Sequence, residues 1–101
     1  MIYSVSDRET ISDVSTAGGV GFTAAKLAPT TGTIYYAVVQ AVSGNVRFTI
    51  DGTAPVAATT GMRLLQDDSV EVWGTTALAA FLAIDDGGTA KLEVVYMGVG
   101  L

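Results

Sequence analysis

Apolar and polar residues alternate with a period of two along much of this chain, the pattern of strands that bury one face. The clearest case is Val46 to Asp51, where Val46, Phe48 and Ile50 point one way and Arg47, Thr49 and Asp51 the other. The run enters Asp51-Gly52, where glycine can take the positive φ of a tight turn, and then meets Pro55, which has no amide to give to a ladder. Arg47 and Thr49 are expected to lie exposed beside this corner. The last strand, Thr89 to Met97, sends Ala90, Leu92, Val94 and Tyr96 inward and Lys91, Glu93, Val95 and Met97 to the other face. Val70 and Val72 face in, while Glu71 and Trp73 face out. Ile34 to Val42 is a nearly continuous apolar run rich in valine and tyrosine, which suits a central strand covered on both faces. Tyr35 and Tyr36 are neighbours on that run, so the period of two expects them on opposite faces.

Weaker signals fill the rest. Met1 to Val5 reads as a short edge strand, Ser6 to Asp13 as an arm or loop, and Ser12 to Thr16 as a possible short strand. Val20 to Ala28, Arg63 to Leu65 and Phe81 to Ile84 also read as strands. Pro29 to Gly32, Ser43-Gly44-Asn45, Asp67-Asp68 and Asp85-Asp86-Gly87-Gly88 have turn composition. Thr75 to Ala80 has the only marked helix propensity, with threonine to cap it. Strands at roughly 8–12-residue spacing predict an all-β fold. The expectation is an antiparallel β-sandwich, Ig-like or jelly-roll-like, of seven or eight short strands with one short helical turn near 76–80. Residues 1–19 form its polar N-terminal arm or edge strand, and residues 20–101 form the sandwich domain.

Composition narrows the chemistry. The chain has 101 residues, half of them hydrophobic and 15% charged, which suits one domain with a core of its own. Five basic against ten acidic residues give a net charge of −5, so neither nucleic acid nor an anionic membrane is an expected partner. No apolar run approaches the roughly 20 residues of a membrane helix, and no signal peptide is visible. Cysteine and histidine are both absent, which removes disulfides, thiolate metal sites and the commonest general base. Lys26 and Lys91 have no serine beside them, and Gly18-Gly19-Val20-Gly21 matches no phosphate-binding loop. The acidic pairs lack the spacing of a calcium loop and read as turn formers. No enzyme activity, cofactor or metal is therefore expected. What stands out is an apolar surplus. Trp73 lies on a polar face, one of Tyr35 and Tyr36 should leave the core, and Val95, Met97, Val99 and Leu101 make a C-terminal stripe that either completes the core or docks on a partner. These seven residues are the candidate interface.

Four segments carry a family resemblance: VRFTIDGTAPVAATTG at 46–61, GFTAAKL at 21–27, ALAAFLAI at 77–84 and GTAKLEVVY at 88–96. Together they resemble small structural proteins of tailed bacteriophages, in which a β-sandwich of about this length decorates the head or belongs to the head–tail region. The Asp-Gly-Thr-x-Pro corner is also similar to Ig-like accessory domains of chitin-degrading enzymes. The phage resemblance implies a head decoration or cement protein, made in the host cytoplasm and carried in the virion. It would bind the major capsid protein or other virion proteins as a homo-oligomer such as a trimer, with residues 1–20 ordering on the capsid. A head–tail or tail accessory protein is the alternative within that class. A carbohydrate-binding module, using Trp73 and a tyrosine as stacking platforms, is the alternative outside it.

Overall fold

The computed structural model describes residues 2–101; Met1, which the sequence reading places in the N-terminal edge strand, lies outside the described residues. Among the described residues, seven strands form two antiparallel sheets: β1 (Ser4–Ile11), β2 (Thr33–Val42), β3 (Val46–Thr49), β4 (Met62–Leu64), β5 (Ser69–Trp73), β6 (Leu82–Asp85) and β7 (Lys91–Val99). One sheet has the order β1-β7-β2-β5 and the other β4-β3-β6. Two short helices, α1 (Ala24–Leu27) and α2 (Thr75–Ala80), lie in the connections before β2 and before β6.

The pairing is nested. β1 pairs with β7, Val20 bridges to Ala83 of β6, β2 pairs with β5, and β3 pairs with β4. First thus meets last, second meets last but one, and so on inward, with successive pairs alternating between the two sheets. A long hairpin wound in this way is a jelly roll. Its second strand is here reduced to the single bridge at Val20. The structure therefore decides between the two sandwich types in favour of the jelly-roll form.

The core lies between the sheets. β2 contributes Ile34, Ala37, Val39 and Ala41, and β7 contributes Leu92, Val94 and Tyr96. Val46, Phe48, Leu64 and Ala83 face them from the second sheet. Phe81 stacks on Phe22 at 4.2 Å and 3°, with Phe48 at 5.8 Å and the edge of Tyr96 against Phe22 at 5.6 Å. This aromatic column closes the end of the sandwich where α1 and α2 lie.

Several local expectations are corrected. Val20 to Ala28 is not a strand. After the Val20 bridge the chain turns into α1, whose Ala24, Ala25, Lys26 and Leu27 are strong helix formers. Ser12 to Thr16 is not a strand either, because the Asp13 carboxylate accepts from the amide and the hydroxyl of Ser15 and bends the chain. Ser6 to Thr10 is no loop: it lies within β1, where backbone pairing to β7 outweighs its polarity. β3 ends at Thr49, so Ile50 leaves the core and is 46% exposed. Arg47 and Thr49 are half-buried, not exposed, since Arg47 folds onto Asp86 and Thr49 donates to the carbonyl of Thr53. β2 is central, but only its inner face is fully covered; its other face is half-buried.

Candidate interaction face

Three cross-strand rows on the outer face of the four-stranded sheet span all four strands, because directly paired residues project to the same side, and the two-strand pairs Lys91–Val42 and Thr33–Val99 flank them. The first row is Thr10, Glu93, Gln40 and Ser69; the second is Arg8, Val95, Val38 and Glu71; the third is Val5, Met97, Tyr36 and Trp73. The face is thus polar at one end and apolar at the other. Arg8 reaches Glu93 at 2.7 Å, and the hydroxyl of Thr10 donates to the same carboxylate at 2.7 Å.

Two irregularities of register shape the apolar end. The β2–β7 ladder slips between Ile34 and Tyr36, a bulge that gives one extra residue to β2. Ile34 and Ala37 are both buried, and the two residues between them, Tyr35 and Tyr36, are both half-buried. The expectation that they take opposite faces fails here: Tyr3 lies edge-on against Tyr35 at 6.0 Å, Tyr36 at 5.4 Å and Trp73 at 5.5 Å. Tyr36 and Trp73 stack at 4.0 Å and 12°. The indole N–H of Trp73 donates to Glu71 at 3.0 Å, which fixes the ring. The second slip, between Val5 and Asp7, falls in β1. It keeps Val5 on the outer face while Asp7 turns inward.

All seven residues singled out from sequence fall at or beside this end. Val95, Met97 and Val99 lie half-buried on the outer side of β7, so they do not belong to the core between the sheets. Leu101 follows them and is exposed. Trp73 is 48% exposed. The sequence pattern alone does not single out Ile2, at 83% exposure, Val5, at 62%, Tyr3 or Val38, which also belong to this face. The signal for Tyr3 and Val5 was present in the bulky residues of the edge strand, but it has meaning only once β1 is known to pair with β7.

Away from this face, polar groups serve the scaffold. The Asp86 carboxylate accepts from the amide of Ala58 at 2.7 Å and from the guanidinium groups of Arg47 and Arg63 at 3.2 and 3.1 Å. The Ala58 amide, with the two arginines, holds the Asp86 carboxyl below its ordinary range. Asp86 thereby ties β3, β4 and the 56–61 loop to the end of β6. On β1 the inward-facing Glu9 accepts from the buried hydroxyl of Tyr96 and from Thr23, and Asp7 pairs with Lys26 at 2.8 Å. Burial and then the Glu9 carboxylate push the Tyr96 hydroxyl far above its usual range. Among the described residues no group of three or more acidic side chains is placed to hold a metal ion, and no helix is long and apolar enough to cross a membrane. A shallow cleft of about 380 Å³ at the opposite end of the sandwich is lined by hydroxyls, Asp13, Asp85 and Lys91, with Asp13 engaged by Ser15 and Asp85 by the amide of Ala90.

Compared with protein-family models, with curated proteins and with solved structures, the chain gave no match in any of the three.

Proposed function

We propose that this chain is a structural component of a larger protein assembly, namely a virion protein of a tailed phage that decorates or cements the head. The observation that carries this reading is the apolar end of the outer sheet face. There Ile2, Val5 and Trp73 are exposed beside half-buried Tyr3, Tyr35, Tyr36, Met97 and Val99. A small domain with an adequate core gains nothing by leaving such a cluster in water, and clusters of this kind mark contact sites. The resemblance of the 21–27, 46–61, 77–84 and 88–96 segments to small phage structural proteins supplies the kind of assembly; the jelly roll itself is compatible with many functions. Many weak copies would add up to strong stabilisation of a shell.

The test is co-sedimentation with phage heads assembled without the protein. Saturable binding is expected, weakened in Trp73→Ala and in Val5→Asp. Heads that ignore the protein, together with binding to neck or tail particles, would move it within the virion. Failure on every particle would remove the virion reading. The parallel Tyr36–Trp73 pair also presents a flat aromatic surface of the sort that sugars stack on. A glycan array with a signal that disappears in Trp73→Ala would favour the carbohydrate-binding alternative instead.

A further inference from the structure

We propose that the outer face of the four-stranded sheet packs against the same face of a second copy, about a two-fold axis that runs parallel to the strands between β7 and β2. The inference rests on reading this face as a contact surface and names a second copy as its occupant in the free protein; a head that docks on Trp73 and Val5 takes that copy's place. The argument lies in the order of residues across each row. Reading from β1 to β5, the middle row is Arg8, Val95, Val38, Glu71: a cation at one edge, an anion at the other and two valines between. A two-fold axis along the strands reverses that order in the facing copy. Arg8 then meets Glu71 of the second copy at both edges, and Val95 meets Val38 twice.

The neighbouring rows match under the same operation. Thr10 opposes Ser69 and Glu93 opposes the amide of Gln40, while Val5 opposes Trp73 and Met97 opposes Tyr36. Polar thus meets polar and apolar meets apolar in the three rows that span all four strands, while the flanking pairs Lys91–Val42 and Thr33–Val99 are mixed. An axis running across the strands would instead set the Thr10–Ser69 row against the Val5–Trp73 row, burying Glu93 among apolar groups. Arg8 is mostly exposed beyond its contact with Glu93, so its guanidinium can serve a second carboxylate. The contact is self-complementary, as a closed two-fold interface requires. Four strands at about 4.8 Å and some seven residues at about 3.4 Å give a footprint near 450 Å² per copy, or roughly 900 Å² in all before side-chain relief is counted. That is the size of a weak, reversible association.

Sedimentation velocity of the full chain over a wide concentration range tests this. A reversible dimer is expected. Arg8→Glu or Glu71→Arg alone places like charges opposite each other at both edges and should weaken dimerisation about tenfold or more. The double variant Arg8→Glu with Glu71→Arg should bind more tightly than either single reversal, although it lacks the contacts of Arg8 with Glu93 and of Glu71 with Trp73 within each chain, and circular dichroism checks that each variant is folded. A strict monomer, a trimer, a dimer indifferent to both single reversals, or a double variant that binds no more tightly than the single reversals would each overturn the pairing. A monomer that still binds heads through Trp73 would remove this inference and leave the assembly function standing. A dimer that binds no particle would do the reverse.

Discussion

Gly98→Ala should disturb the interaction face through the backbone that shapes it. Gly98 lies in β7 between Ser4 of β1 and Ile34 of β2, at the point where the β2 bulge begins. A Cβ there would sit 3.0 Å from the Thr33 carbonyl carbon and 3.2 Å from Ile34 Cα, and closer still to the Thr33 oxygen. All three atoms are backbone, so no rotamer change relieves the clash, and the strands must part or the bulge must move. Overpacking of this kind costs about 1–2 kcal/mol, which for a domain of this length lowers Tm by roughly 4–16 °C. The effect should also reach Trp73, the only tryptophan, because its partner Tyr36 is positioned by the same bulge. Thermal unfolding followed by circular dichroism gives the first quantity, and the emission maximum of the folded state gives the second. Gly88→Ala is the control: a Cβ there meets nothing within 4 Å and its φ lies outside the left-handed region. An unchanged Tm together with unchanged emission in Gly98→Ala would refute the claim that close strand approach at Gly98 sets the bulge.

Gly52→Val should cost about 1–2 kcal/mol for a different reason, since φ is +85° with open space around a Cβ, so the cost is conformational; a melting temperature equal to wild type would show the corner to be misread. Asp86 has a folded-state pKa below its ordinary value, so its stabilisation is present above about pH 4 and is lost as pH falls through the folded value. Asp86→Asn should flatten the acid limb of the stability–pH curve and make the 56–61 loop easier to cleave by protease at neutral pH, both readable by urea titration and limited proteolysis. Tyr96 is shifted the other way: its stabilisation is complete below about pH 10, and stability declines above that pH as the unfolded hydroxyl ionises while the buried one stays protonated. Tyr96→Phe should remove that part of the alkaline decline at a cost of about 1.5–3 kcal/mol near neutrality, the range for a hydrogen bond to a charged group, and an unchanged alkaline slope would argue against the buried hydroxyl as its source.

The sequence was most legible where local pattern and tertiary demand agree. The alternation in β7 and β5 places each side chain correctly because the two bulges beside β7 put their extra residues on β1 and β2 and leave β7 and β5 in unbroken alternation. The period of two fails at Tyr35, where one extra residue resets the phase, and nothing in the side chains around Ile34 announces the slip. The close approach that accompanies it lies far away in sequence, at Gly98, where the lack of a Cβ lets β7 crowd against β2. Likewise β1 reads as an arm because Asp7 and Glu9 take inward positions that apolar residues would ordinarily hold. Their partners, Lys26, Thr23 and Tyr96, are distant in sequence, so the polar strand looked unfit for a sheet. Trp73 reads as a misfit on a polar face and one of Tyr35 and Tyr36 as leaving the core, but the gathering of these rings with Tyr3 into one cluster depends on the β1–β7–β2–β5 order, which the sequence pattern does not contain.

That order also explains why association should use a face. β1 closes one side of the large sheet with a bulge and two inward-facing carboxylates, both devices that hinder a further strand from pairing there. β5 closes the other side with only five residues, carrying Ser69 and Glu71 on its outer surface. In the second sheet β4 is three residues long with Arg63 at its middle, and the far side of β6 is occupied by the Val20 bridge. Each edge is therefore short, charged, bulged or covered, while the aromatic cluster of Tyr3, Tyr35, Tyr36 and Trp73 lies on the broad surface of the large sheet. Edge pairing is held mainly by backbone hydrogen bonds and accepts almost any extended chain. Face packing depends on side-chain order, and only there can a sequence such as Arg8-Val95-Val38-Glu71 across four strands select one partner and one orientation.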